Sequence, residues 1–190
     1  MKSVSVTVGF LVIQAAVDTH VGPFVIPAPR RWNLEFYSLN CLNSSNVIKT
    51  FECNFNKLAP SHYNFSTRLI FTKNLDKQFY IRYFIDVKPH FKKDYIHFIN
   101  IKMNACDAIR TNYEIPLLQT LMLELRRTSN IPYQCPFEKD FLYEIKNLSV
   151  TDKYLLMSVP SVNFTNGFEL YESSNLIGSF ITKGGITSKI

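Results

Sequence analysis

Glycine is scarce in this 190-residue chain: there are six, and none forms Gly-x-Ser-x-Gly or a phosphate-binding loop. A serine hydrolase needs the first arrangement to expose its nucleophile on a strained turn. A nucleotide fold needs the second, with a helix behind it, to cradle phosphates. Gly184 and Gly185 stand near the C-terminus without the motif or a following helical pattern, so both chemistries are unsupported. Cysteine is limited to Cys41, Cys53, Cys106 and Cys135, with no Cys-x-x-Cys. Histidine is limited to His20, His62, His90 and His97, no two of them three to five residues apart. Zinc sites require clustered thiolates or imidazoles, so neither a metal nor another cofactor is expected. His97 falls on an otherwise apolar strand face, where a core or pocket-lining role is expected rather than general-base work.

Long apolar runs are missing as well. Beyond the first twenty residues nothing approaches eighteen apolar residues without a charge, and the C-terminus holds Lys183, Thr187, Ser188 and Lys189. No stable membrane span and no lipid-anchor tail are expected. The net charge is +6, but Arg30-Arg31, Lys92-Lys93 and Arg126-Arg127 are the only basic doublets. Scattered charge of this kind makes no nucleic-acid stripe, and no nucleic acid is expected as a partner. With no Gly/Ser linker, charge block or repeat, residues 20–190 read as one domain.

Residues 1–19 read as a signal peptide. Met1 and Lys2 give a positive start, and residues 4–17 form an apolar run broken by Ser5, Thr7, Gly9 and Gln14. As a helix that run rises about 21 Å, short of the roughly 30 Å hydrocarbon core. The cut site stays open between small-residue positions at Ile13 and Ala15 or at Val17 and Thr19. Secretion to the extracellular space makes disulfides the default for the four cysteines. Three pairings are open to them, and the shorter closures, Cys41 with Cys53 and Cys106 with Cys135, are preferred. Four Asn-x-Ser/Thr sequons, at Asn43, Asn64, Asn147 and Asn163, become candidate glycan sites.

What the chain has in quantity is aromatic residues, 16 Phe and 10 Tyr. Residues 34–41 and 47–55 read as strands, and the Asn43-Ser44-Ser45-Asn46 cluster between them predicts a hairpin. In the second, Val47, Phe51, Cys53 and Phe55 share one face. Ile48, Thr50, Glu52, Asn54 and Asn56 share the other, and Lys49 breaks the pattern. The clearest alternation is at 78–88, where Phe79, Ile81, Tyr83, Ile85 and Val87 project inward. Gln78, Tyr80, Arg82, Phe84, Asp86 and Lys88 project outward. Phe65, Leu69 and Phe71 precede it and Tyr95, His97, Ile99, Ile101 and Met103 follow it with the same period, which predicts a central meander.

One segment, near 114–128, changes period. Ile115, Leu118, Met122 and Leu125 lie three and four apart, an amphipathic helix with Pro116 in its first turn and Arg126 and Arg127 in its last. Further strands at 141–148, 154–159, 168–171 and 176–182 bring the count to about nine strands and one helix. The fold class is mostly β, an immunoglobulin-like β-sandwich or a β-cup. Carboxylate pairs have no sequence signature, and Asp76, Asp94, Asp140 and Asp152 suit turns, so the chain is read as no enzyme.

Several local patterns coincide: Tyr37-Ser38-Leu39-Asn40-Cys41 followed by Cys53; Asn104 leading into Cys106; the helix; Ser129-Asn130-x4-Cys135-Pro136; and Pro160 ahead of Gly167-Phe168-Glu169-Leu170. In this the chain resembles a large insect family of small secreted proteins, described mostly as a domain of unknown function. That family is grouped with the ganglioside-activator-like and MD-2-related lipid-recognition proteins, and the chain is similar to the chemosensory CheA and CheB proteins in this respect. The resemblance spans residues 37–170. It implies sheets enclosing a lipid-sized apolar space, with the helix pinned across one end by Cys106 and Cys135. The chain departs from the pattern at Asn104, where an Asp is common.

The function expected is that of a secreted, non-enzymatic carrier for a lipid or other apolar small molecule held between two sheets, with chemosensation as a setting. Candidate pocket residues are Phe65, Leu69 and Phe71; Phe79, Ile81, Tyr83 and Ile85; Tyr95 and Ile99; and Leu121. Two alternatives are an extracellular interaction module with a dry core, facing an unidentified receptor, and an accessory protein that lifts lipid for an enzyme. An interior cavity below about 300 Å³ favours the dry core.

Overall fold

A computed structural model describes residues 32–89, 94–110, 116–152 and 161–188. The expected signal peptide and the expected strand at 154–159 lie outside them. The described residues form eight strands and two helices: β1 (Trp32–Asn43), β2 (Ile48–Ala59), β3 (His62–Phe71), β4 (Phe79–Pro89), β5 (Ile96–Asn104), α1 (Ala105–Ala108), α2 (Pro116–Thr128), β6 (Leu142–Thr151), β7 (Val162–Glu172) and β8 (Asn175–Ser188). They pair antiparallel into a five-stranded sheet ordered β1-β8-β7-β4-β5 and a three-stranded sheet ordered β2-β3-β6. The architecture is a β-sandwich with little helix.

The expected hairpin between the first two strands does not form. β1 pairs with β8 and β2 with β3, so the turn between them passes from one sheet to the other. The turn chemistry is present: Asn43 accepts from the Ser45 amide at 3.1 Å and donates to the Ile48 carbonyl at 2.8 Å. It reverses the chain without pairing the strands. The Cys41–Cys53 disulfide, Cα–Cα 5.9 Å, ties the two sheets at this crossing. The expected central meander is likewise divided, because β3 belongs to the smaller sheet and β4 with β5 to the larger. Period two assigns faces to a strand but says nothing of its neighbour.

Three further assignments change. The β2–β3 register shifts between Ile48 and Thr50, a bulge at Lys49, so Ile48 joins Val47 in the core at 3 % exposure. Phe84, on the face assigned to solvent, is buried beside Arg82, whose guanidinium carbon lies 5.1 Å from the ring centroid. His97 is no core residue: it is exposed on the edge strand β5, which only β4 shields, and its Nδ1 meets Asp86 Oδ1 at 2.7 Å. A short helix, α1, precedes the expected one. Asn104 caps it, accepting from the Cys106 amide at 2.9 Å and donating to the Lys77 carbonyl at 2.7 Å.

The core gathers where the sheets meet the helical segment. Phe71, Phe79, Phe137 and Tyr143 pack largely edge to face, with centroids 5.1–6.3 Å apart. Ile48, Val47, Leu75, Ala105, Ile109, Leu170 and Ile177 belong to the same cluster, and Leu34, Val162, Phe164 and Ile186 form a second one.

Candidate functional site

Between the sheets, beside α2, lies an apolar cavity of about 220 Å³. Register explains its walls. On β3 the inward residues Phe65, Thr67 and Leu69 stand opposite Leu148, Ile145 and Tyr143 of β6, and all six line the space. Across from them, Ile81 and Tyr83 of β4 stand opposite Leu170 and Phe168 of β7, and Ile81 opposite Met103 of β5. The helix supplies Leu118, Leu121, Met122, Leu125 and Arg126, the i, i+3, i+4 stripe of one face, and Ser129 follows in step. The polar groups on the wall are few. Tyr83 is one, and burial pushes its phenol up to about 12, so it stays neutral at any physiological pH. Thr67 is buried too.

Seven of the ten expected pocket residues reach this wall: Phe65, Leu69, Phe71, Phe79, Ile81, Tyr83 and Leu121. Ile85 and Ile99 do not. They face each other across the β4–β5 pair, one inward step past Tyr83 and Ile101, where the cavity has ended. Tyr95 lies on the surface, 54 % exposed, 5.6 Å from Lys88 Nζ. Phe168 and Phe180 also reach the wall; β7 alternates apart from Asn166, whereas β8, with Gly178 and Thr182 in step with Phe180, shows no clean alternation. The helix stripe, by contrast, was readable as a stripe.

Three links hold the helical side in place. The Cys106–Cys135 disulfide, Cα–Cα 5.6 Å, joins α1 to the chain after α2. Arg126 Nη2 donates to the Ile109 carbonyl at 2.8 Å. Asn130 stitches the helix exit to β6: its amide donates to the Leu142 carbonyl at 2.8 Å and accepts from the Glu144 amide at 2.7 Å. That pairing gives the Ser-Asn-x4-Cys-Pro pattern a mechanical role.

Beyond the helix exit the wall meets a second, polar cleft of about 520 Å³, lined by Arg127, Thr128, Ser129, Asn130, Glu144 and Lys146. Ser129 and Glu144 belong to both spaces. A hydrogen bond from Lys146 at 2.9 Å, assisted by Arg68, holds the Glu144 carboxyl below its usual range.

Elsewhere, Asp76 comes within 4.8 Å of the sulfurs of Cys106 and Cys135, which are spent on each other as a disulfide. Of the sequon residues, Asn43, Asn147 and Asn163 are exposed and Asn64 is half-buried on β3. Among the described residues no helix is long and apolar enough to cross a membrane.

Residues 78–166 match a family described as a protein of unknown function, DUF1091. The stretch runs from β4 into β7 and contains Asn104, Cys106, α2, Asn130, Cys135 and Pro136. No curated protein matches the chain.

Proposed function

We propose that this chain is a secreted, non-enzymatic binding protein that holds one short apolar chain between its sheets. The observation that carries the reading is the cavity: about 220 Å³, walled by inward aromatic and aliphatic residues of both sheets and the apolar stripe of α2. The resemblance to MD-2-related lipid-recognition proteins supports the same reading, and the two disulfides favour an oxidising, extracellular setting.

The volume lies under roughly 300 Å³, the size below which a dry core is favoured over a lipid carrier, and it leaves room only for a guest smaller than a diacyl lipid or sterol. An apolar cavity of roughly 150 Å³ takes up benzene, and on that scale this one suits a chain of about nine non-hydrogen atoms. Burying that many methylenes at about 0.8 kcal/mol each gives on the order of 7 kcal/mol before ordering costs. The affinity expected is therefore tens of micromolar or weaker, in keeping with reversible exchange.

Calorimetric titration of the purified chain with a series from hexan-1-ol to hexadecan-1-ol tests the reading. Affinity is expected to rise about threefold to fourfold per methylene up to about nine carbons and then level off. Absence of binding, or binding indifferent to chain length, overturns it. The second reading, an interaction module with a dry core, draws on the small volume and on Tyr95, Ile96 and Phe98, exposed together at the start of edge strand β5. It predicts no uptake of any alcohol in the series.

A further inference from the structure

We infer that the guest is an anionic single-chain amphiphile whose acidic head rests against Arg126 on the wall of the apolar cavity. The inference rests on the reading of the cavity as a binding site and adds the chemistry of the head. Ser129 and Glu144 line both spaces, and Arg126 lines the apolar one, so a tail lodged in the cavity has this guanidinium on its wall. The guanidinium is located by its bond to the Ile109 carbonyl, and Ile109 lines the same cavity.

Among the described residues the charges lining the two spaces are unequal: Arg126, Arg127 and Lys146 against Glu144. Glu144 is engaged by Lys146 at 2.9 Å and by Arg68 at 3.5 Å, and Arg127 by Glu124 at 2.7 Å. Among the described residues Arg126 pairs with no carboxylate, and its Nη2 donates to the Ile109 carbonyl oxygen at 2.8 Å. A guanidinium keeps its charge and presents further N–H donors in a fork that matches a carboxylate. Beside an apolar wall the attraction is stronger than in open water. Glu144 apart, the other described residues of the cavity wall are aromatic, aliphatic, thioether or neutral hydroxyl, so a neutral head gains little beside Arg126 and a cationic head meets repulsion.

The test compares nonanoate, nonan-1-ol and nonan-1-amine on the full chain by calorimetry at neutral pH. Nonanoate is expected to bind about tenfold tighter than the alcohol, the scale of a charge-assisted hydrogen bond, and the amine weaker than both. Arg126→Gln is expected to bring the acid and the alcohol to equal affinity. Lys183→Gln, which removes an exposed charge on β8, leaves the ratio unchanged. Equal binding of acid and alcohol, or a ratio that survives Arg126→Gln, overturns the inference and leaves the cavity reading standing. Binding of none of the three overturns both. Should Arg126→Gln lose the alcohol as well, the wild-type ratio decides, through its fall toward unity with added salt.

Discussion

Tyr83 sits 6 % exposed on the cavity wall, its ring centroid 4.7 Å from that of Phe168. Burial raises its phenol from 10.0 to about 12. The stability this contributes is fully present below the unfolded value and is lost as pH rises from there through the folded one. Denaturant melts of wild type are therefore expected to weaken between about pH 10 and pH 12, by on the order of 3 kcal/mol from this residue. Tyr83→Phe is expected to flatten that limb, and a flank unchanged by the substitution counts against the assignment. Asn104 illustrates a residue whose identity matters at both ends of its amide. The oxygen caps α1 and the nitrogen reaches the Lys77 carbonyl, a second bond that the Asp common in the resembling family is unable to donate.

At the scale of elements, the clearest strand and the helix were legible because their periods are unbroken: Phe79, Ile81 and Tyr83 at two, Leu118, Met122 and Leu125 at three and four. What stayed hidden was partnership. The cluster after Asn43 carries every mark of a hairpin turn, and its bonds form, yet β8 takes the place beside β1. Nothing local in residues 34–55 encodes a strand that lies more than a hundred residues later. The cavity's end at Tyr83 was equally invisible, since Ile85 continues the same alternation. The disulfides give a prediction at this scale. Cys106–Cys135 has a sequence separation of 29 and Cys41–Cys53 one of 12. Loop-closure entropy then assigns about 3.6 and about 2.8 kcal/mol to them. Cys106→Ser/Cys135→Ser is expected to lose more stability in denaturant melts than Cys41→Ser/Cys53→Ser. It is also expected to lose nonan-1-ol binding, because it unpins the helical wall. The reverse order refutes the closure argument.

For the molecule as a whole, the five-stranded sheet is wider than the three-stranded one it faces, and helical chain makes up the difference: α1 packs on β4 and β5, α2 on β6. Side chains of two sheets interdigitate closely, whereas a helix laid beside a strand edge meets them with a coarser surface. The empty volume sits where that substitution occurs. Leu121→Trp directs added bulk into it, and is expected to weaken nonan-1-ol binding more than tenfold. The same change should shift Tm by no more than about 4 °C, equivalent to about 1 kcal/mol in a chain of this size. Retained binding shows that the alcohol binds elsewhere, and a large loss of stability shows the space to be filled already.

The two margins of the sandwich are built differently. Along β1 and β2 the sheets are sewn together by a covalent bond, a connecting turn, and the Glu35 carboxylate that takes Lys57 and Tyr63 at once. Along β6 the smaller sheet packs on α2, which the Cys106–Cys135 disulfide, Arg126 and Asn130 fasten in place. On the proposed reading a guest would come and go on the α2 side, and its exchange would follow how firmly that side is fastened rather than the strength of the opposite seam.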